Sequence, residues 1–149
     1  TLSSSSAASD VYKRQIERLG RFAESIGVAF QIQDDVLDLT SEKFAEKKGG
    51  IGQDITEGKR SLIAIQALEK AKPTDKKRLI KILDMHTTDQ KLRDEAIRIM
   101  KKYNSIDYAK QRARNIVAES WKEVDRLLSP SDAKDKLKAF ADYLIERII

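Results

Sequence analysis

Apolar residues in this chain recur at steps of three and four, and no segment shows the two-residue alternation of a strand. Every regular element is therefore expected to be a helix. From Ile16 the series Leu19, Phe22, Ile26, Ala29, Phe30, Ile32, Val36 and Leu39 predicts one long helix. Asp54, with Glu57 three residues on, reads as an N-cap and its partner, opening a second helix through Leu62, Ile65 and Leu68 to about Lys72. Pro73 suits the first position of a short helix carrying Leu79, Ile80, Ile82 and Leu83. Thr88 is expected to cap a helix through Leu92, Ala96, Ile97, Ile99 and Met100 that ends near Asn104, a residue tolerant of the left-handed conformation. Ser105 caps the next, through Ile106, Ala109, Ala113, Ile116, Val117, Trp121, Val124 and Leu128. Ser131 starts the last, with Leu137, Phe140, Ala141, Leu144 and Ile148 on one face. Only 6 Gly and 2 Pro interrupt 149 residues, so the expected fold is an all-α bundle of about five or six helices.

Composition removes several function classes. No apolar run reaches the roughly 18 residues of a membrane span, and the opening TLSSSSAASD lacks the apolar stretch of a signal peptide. A soluble, cytoplasmic protein is expected. Zero Cys excludes disulfides, thiolate metal sites and a cysteine nucleophile. The net charge of +5 suits nucleic acid, an anionic membrane or a phosphorylated small molecule. Yet bases are mixed with acids, as in Lys76, Lys77, Arg78, Lys81 and Asp84, which is the pattern of a solvated helix face. The charge alone therefore does not point to nucleic acid. The Ser-rich start and the lack of Met before Met85 suggest that residues 1–15 are a leader or non-native, disordered end, with the domain proper running 16–149.

The feature that helix packing does not explain is acidic. Residues 22–42 hold Glu24, Asp34, Asp35, Asp38 and Glu42 and no base. At about 100° per residue, Gln31, Asp34, Asp35 and Asp38 share one strip with Gly27 above them, and apolar residues occupy nearly all the remaining circumference. That distribution predicts an interior helix. Clustered carboxylates in such a place repel one another and lose solvation, so they need a cation. A Lys or Arg from another helix would serve, and so would a hard divalent ion: oxygen ligands at i, i+1 and i+4 suit Mg²⁺, with waters and a phosphate completing its octahedron.

Downstream, Gly49, Gly50 and Gly52 lead into GQDITEGKRS, with Lys59 and Arg60 expected in the first turns of a helix. Free N–H groups, the positive end of the helix dipole and two cations together favour a phosphate. The segment is not a P-loop: five residues separate Gly52 from Gly58, and Arg60 follows Lys59. His86, the only histidine, is expected in a loop or capping role, and Trp121 and Tyr143 in the core.

With both features placed, the sequence resembles the polyprenyl synthetase family of farnesyl and geranylgeranyl diphosphate synthases. IGVAFQIQDDVLD, Ile26 to Asp38, is similar to that family's second aspartate-rich motif, and GQDITEGKRS to the lysine-bearing segment after it. The resemblance runs from about Ile16 to Ile149 and implies the C-terminal part of an isoprenoid synthase helical bundle. It implies a Mg²⁺-dependent head-to-tail condensation of an allylic diphosphate with isopentenyl diphosphate, through an allylic carbocation, by a cytoplasmic homodimer. Carried over by position, Asp34 would ligate Mg²⁺, with Asp35 and Asp38 assisting directly or through water. Gln31 and Lys59 would contact the allylic diphosphate, Asp54 would support the metal, and Phe30 would line the isopentenyl site. Many members carry a lysine where this chain has Gly50, which leaves Lys48 or Lys47 to replace it. No other DDxxD occurs in the chain, so the first aspartate-rich motif has no counterpart here. An incomplete, inactive fragment of a synthase is expected; the alternative is a non-catalytic helical subunit that completes a partner synthase.

Overall fold

The computed structural model describes residues 4–43, 46 and 49–147. Among them are seven helices and no strand: α1 (Ser4–Thr40), α2 (Gln53–Thr56), α3 (Leu62–Lys70), α4 (Pro73–Asp84), α5 (Gln90–Lys102), α6 (Ser105–Asp125) and α7 (Asp132–Arg147). No described helix is long and apolar enough to cross a membrane. The all-α expectation holds, with the boundaries moved. The long first helix reaches back to Ser4, well before Ile16. The helix expected from Asp54 to Lys72 is two helices, because Gly58 takes a left-handed φ of 68° between them. A Cβ at Gly58 would lie 2.8 Å from the Leu83 carbonyl oxygen, so this turn demands glycine twice over.

Two compact units divide the chain. One runs Gln31–Gln111; the other joins the residues up to Phe30 with those from Arg112 onward. In the unit 31–111, α4 packs on α5, both meet α3, and the short α2 sits on α4 and α5. Ile63, Leu79, Ile82, Leu83 and Met100 are fully buried there. At roughly 1.5–3 kcal/mol for each large apolar side chain, these residues are the main source of this unit's stability. Local caps finish the helices. The Ser61 hydroxyl accepts from Ala64 N at the start of α3, and Asp89, rather than the expected Thr88, accepts from Lys91 N before α5. A carboxylate is as good a cap as a hydroxyl, and only the backbone path decides between neighbours. Asn104 has a φ of 54°, as its place between α5 and α6 predicts. His86 pairs through Nδ1 with the Thr56 carbonyl at 3.0 Å, a loop role.

In the other unit, Phe22 meets Trp121 edge to face with ring centroids 5.5 Å apart. Val117, Val124, Ala141 and Leu144 are buried in the same unit. Lys134 caps the end of α6 by donating from Nζ to the Asp125 and Leu128 carbonyls, both at 2.9 Å, and the Ser131 hydroxyl accepts from Lys134 N at 3.1 Å. Tyr143, expected in the core, is 54% exposed, and Phe140 is exposed too. The buried strip of α7 passes through Ala141 and Leu144, and Tyr143 lies off it. The interior character expected for α1 is likewise partial: Ala29, Ile32, Val36 and Leu39 are buried, whereas Val28 and Phe30 are exposed. Periodicity marks apolar faces without saying which of them is covered.

Candidate active site

The last turns of α1 carry three carboxylates in three different situations. Asp35 is 6% exposed and accepts from Lys59 Nζ at 2.5 Å and from Gln31 Nε2 at 3.3 Å. Asp38 is 2% exposed, and its Oδ2 accepts from the backbone N–H of Asp54 at 3.0 Å. Asp34 is half-buried, and its side chain makes no hydrogen bond or ion pair among the described residues. Register alone does not separate them, since at about 100° per residue Asp38 lies between the other two, about 40° from Asp34 and about 60° from Asp35. Asp35 and Asp38, three apart, are the two that turn inward.

The facing segment is Gly52–Ser61. Gly52, with φ 83°, is the residue before α2 and has no side chain to cap it. The expected Asp54–Glu57 cap is therefore replaced: Asp54 lies within α2, and the acceptor for its N–H comes from Asp38. Lys59 and Arg60, expected in the first turns of a helix, stand instead in the connection between α2 and α3, held there by the Gly58 turn and the Ser61 cap. Lys59 spans the gap, donating to Asp35 and, at 3.3 Å, to Asp54 Oδ2. Arg60 turns away to Gly58 O at 2.8 Å and Asp84 at 2.6 Å. A helix does start after the glycines, at Gln53, but Lys59 and Arg60 lie beyond its end, and of the two Lys59 is the one bonded to the α1 carboxylates.

That lysine is shared unequally. Burial, then the negative charge of Asp38, push the Asp54 carboxyl up to about 6; Lys59 opposes the shift and Asp35 adds to it. For Lys59 burial is the largest single influence and acts downward, but the hydrogen bond to Asp35 and the charges of Asp54 and Asp35 outweigh it and hold the ammonium above its ordinary range. The two directions are compatible, since Lys59 is drawn to the nearer Asp35 and leaves Asp54 undercompensated.

Gln31, Asp34, Asp35, Asp38, Asp54 and Lys59 all belong to the unit 31–111. Phe30, the last residue of the other unit's first segment, is 44% exposed. Lys48 and Lys47, the loop lysines considered in place of Gly50, lie outside the described residues. Pattern reading did not identify Arg93 of α5, which is 4% exposed. A Cβ at Gly50 would fall 3.2 Å from its Nη1, and one at Gly52 would fall 3.4 Å from its Cβ. The glycine run thus closes over Arg93, whose Nε is buried without a hydrogen-bond partner.

Among the described residues no three His, Cys, Asp or Glu side chains converge to cage a metal. The donor set nevertheless fits Mg²⁺. That ion keeps waters and takes one or two carboxylates plus substrate phosphates rather than a protein cage, and Asp34 offers an uncommitted carboxylate beside a lysine-bearing network.

Comparison with known proteins bears on the same segment. The model of the family described as Polyprenyl synthetase matches residues 2–100. The short chain isoprenyl diphosphate synthase of Methanothermobacter thermautotrophicus is 40% identical over 134 residues, covering 90% of this chain and 40% of that protein. The geranylgeranyl diphosphate synthase of Sulfolobus acidocaldarius is 33% identical over 135 residues, covering 89% and 40%. The crystal structure of geranylgeranyl pyrophosphate synthetase from Pyrococcus horikoshii matches with a TM-score of 0.75 at 34% identity, over 90% of this chain and 40% of that one. A decaprenyl diphosphate synthase from Rhodobacter capsulatus shares the fold, with a TM-score of 0.79 at 23% identity over 92% of this chain and 42% of that one. The chain spans about two fifths of the length of the curated relatives it matches.

Proposed function

The chain belongs to the polyprenyl synthetase family, and from that premise we propose that it carries one side of the diphosphate site of a Mg²⁺-dependent trans-prenyl diphosphate synthase. The reaction class is the condensation of an allylic diphosphate with isopentenyl diphosphate. The observation that carries this reading is an uncommitted Asp34 next in sequence to the part-buried Asp35–Lys59–Asp54 network. In the proposal Asp34 holds the metal, Asp35 supports it, Asp38 acts only through the segment that bears Asp54 and Lys59, and Gln31 and Lys59 bind the allylic diphosphate. Mg²⁺, when bound, would supply charge neutralisation for the departing diphosphate.

Lys59 is suited to a diphosphate because it is an ammonium held firmly protonated by its carboxylates, and it can exchange one of them for a phosphate oxygen as ligand binds. Asp54 would support the metal. Phe30 is proposed for the isopentenyl site, and Lys48 for the loop contact that Gly50 cannot make. Cytoplasmic location and a homodimer of the intact protein belong to the same reading. With a single DDxxD in its sequence, the chain is proposed to need a second aspartate-rich motif for turnover.

The test is an assay of that condensation in the intact synthase, with and without Asp34→Ala plus Asp35→Ala. Loss of at least about 100-fold is expected, the scale for removing groups that stabilise charge in the transition state. Full retained activity would refute the assigned role.

A further inference from the structure

The three acids of the motif are not equivalent, and the third is tied to something other than an open site. Asp38 contacts the Gly52–Asp54 segment twice: its carbonyl accepts from Gly52 N at 2.9 Å, and its Oδ2 accepts from Asp54 N at 3.0 Å. The first N–H groups of a helix have no partner within it, and Gly52 has no side chain to supply one. A carboxylate fixed on the neighbouring helix fills that need. It is also only 2% exposed, whereas a magnesium ion that keeps its waters and takes substrate phosphates needs an accessible oxygen.

We infer that Asp38 is a positioning residue and not a metal ligand: its carboxylate caps α2 from outside and thereby holds the segment that carries Asp54 and Lys59. The consequence runs along the chain of contacts. Asp54 O accepts from Lys59 N at 2.9 Å and Asp54 Oδ2 from Lys59 Nζ, so the placement of the lysine depends on the cap. The inference rests on the metal-diphosphate reading above only for what that placement serves; the cap itself is a property of these residues alone.

The test uses the full chain, with amide hydrogen exchange at Asp54 read by NMR and titration with inorganic diphosphate in MgCl₂. Asp38→Asn keeps a side-chain oxygen that can accept from Asp54 N but removes the charge a metal needs; Asp38→Ala removes both. The expected results are Asp54 N–H protection reduced at least tenfold in Asp38→Ala and within threefold of wild type in Asp38→Asn. Diphosphate affinity should likewise stay within threefold in Asp38→Asn, while Asp34→Asn loses at least tenfold. If Asp38→Asn loses affinity as Asp34→Asn does while Asp54 N–H stays protected, Asp38 is a ligand and the inference is overturned. Unchanged protection in Asp38→Ala overturns it too, and if that variant does not fold, Asp38→Asn decides alone. Should Asp34→Asn bind diphosphate normally, the metal-diphosphate reading fails while the cap is still judged by exchange.

Discussion

Two sets of ion pairs within the unit 31–111 use the same residue types and behave in opposite ways. On the outer faces of α4 and α5, Arg78 grips Glu95 through two bonds of 2.6 Å, and Asp75 accepts from Lys102 at 2.7 Å and from Tyr103 at 2.6 Å. There the hydrogen bonds from those partners hold both carboxyls below their ordinary range. At the end of α1, Lys59 is, among the described residues, shared between Asp35 and Asp54 in a partly buried place, and the Asp54 carboxyl is pushed up instead. An ion pair is thus no fixed quantity. Exposed and matched one to one, it favours the charged state modestly; buried and outnumbered, it leaves a carboxyl that titrates near 6, still mostly ionised at physiological pH but readily protonated just below it.

The largest stability effect is expected where the buried site depends on a backbone path. Gly58→Ala puts an alanine at left-handed φ and drives its Cβ against Leu83 O. A loss of about 3 kcal/mol in urea unfolding is expected from these two effects together; an unchanged midpoint would mean that the turn is not rigid. Next is Lys59→Met, which leaves Asp35 buried without its cation and should cost about 2 kcal/mol. It tests whether the outnumbered lysine is the keystone of the network.

Asp54→Asn addresses the sign of the electrostatics. The folded-state carboxyl titrates near 6 against an ordinary value of 3.8, so the folded state binds that proton more tightly than the unfolded chain does. The stability arising from it is present below about pH 4 and lost as pH rises through about 6. Asp54→Asn should therefore raise Tm by about 3 °C at pH 8, with the difference shrinking toward pH 4; a lower Tm at pH 8 would reverse the comparison. The smallest effect belongs to the exposed pair: Glu95→Gln should shift Tm by no more than about 2 °C, and a larger shift would show that the two regions differ less than their burial implies.

How legible this was in the sequence differs by residue. The helical character of the chain, the restart at Pro73 and the turn at Asn104 were readable, because three-to-four spacing and local φ preference are properties of neighbouring residues. The Gln31–Asp38 strip was readable for the same reason. Two features were not. The break at Gly58 comes from a close approach to Leu83 O and His86, residues of another element, so GQDITEGKRS reads like an uninterrupted helix start. The Asp38 cap joins residues 16 apart and has no sequence signature beyond a helix that opens on glycine. Tyr143 shows the remaining weakness, since a face with apolar residues on it is not thereby a covered face.

The sharing of Lys59 has a consequence for how a substrate could arrive. Among the described residues, Asp34, Asp35, Asp38 and Asp54 are the carboxylates of this site, and Lys59, bonded to Asp35 and Asp54, is its ammonium. With all of them ionised the cluster carries a formal charge of −3, and a bare diphosphate is itself strongly negative. On the proposed reading, a site with that charge would act as an electrostatic customs gate: an unaccompanied diphosphate would be repelled, and cations would come first or travel with it.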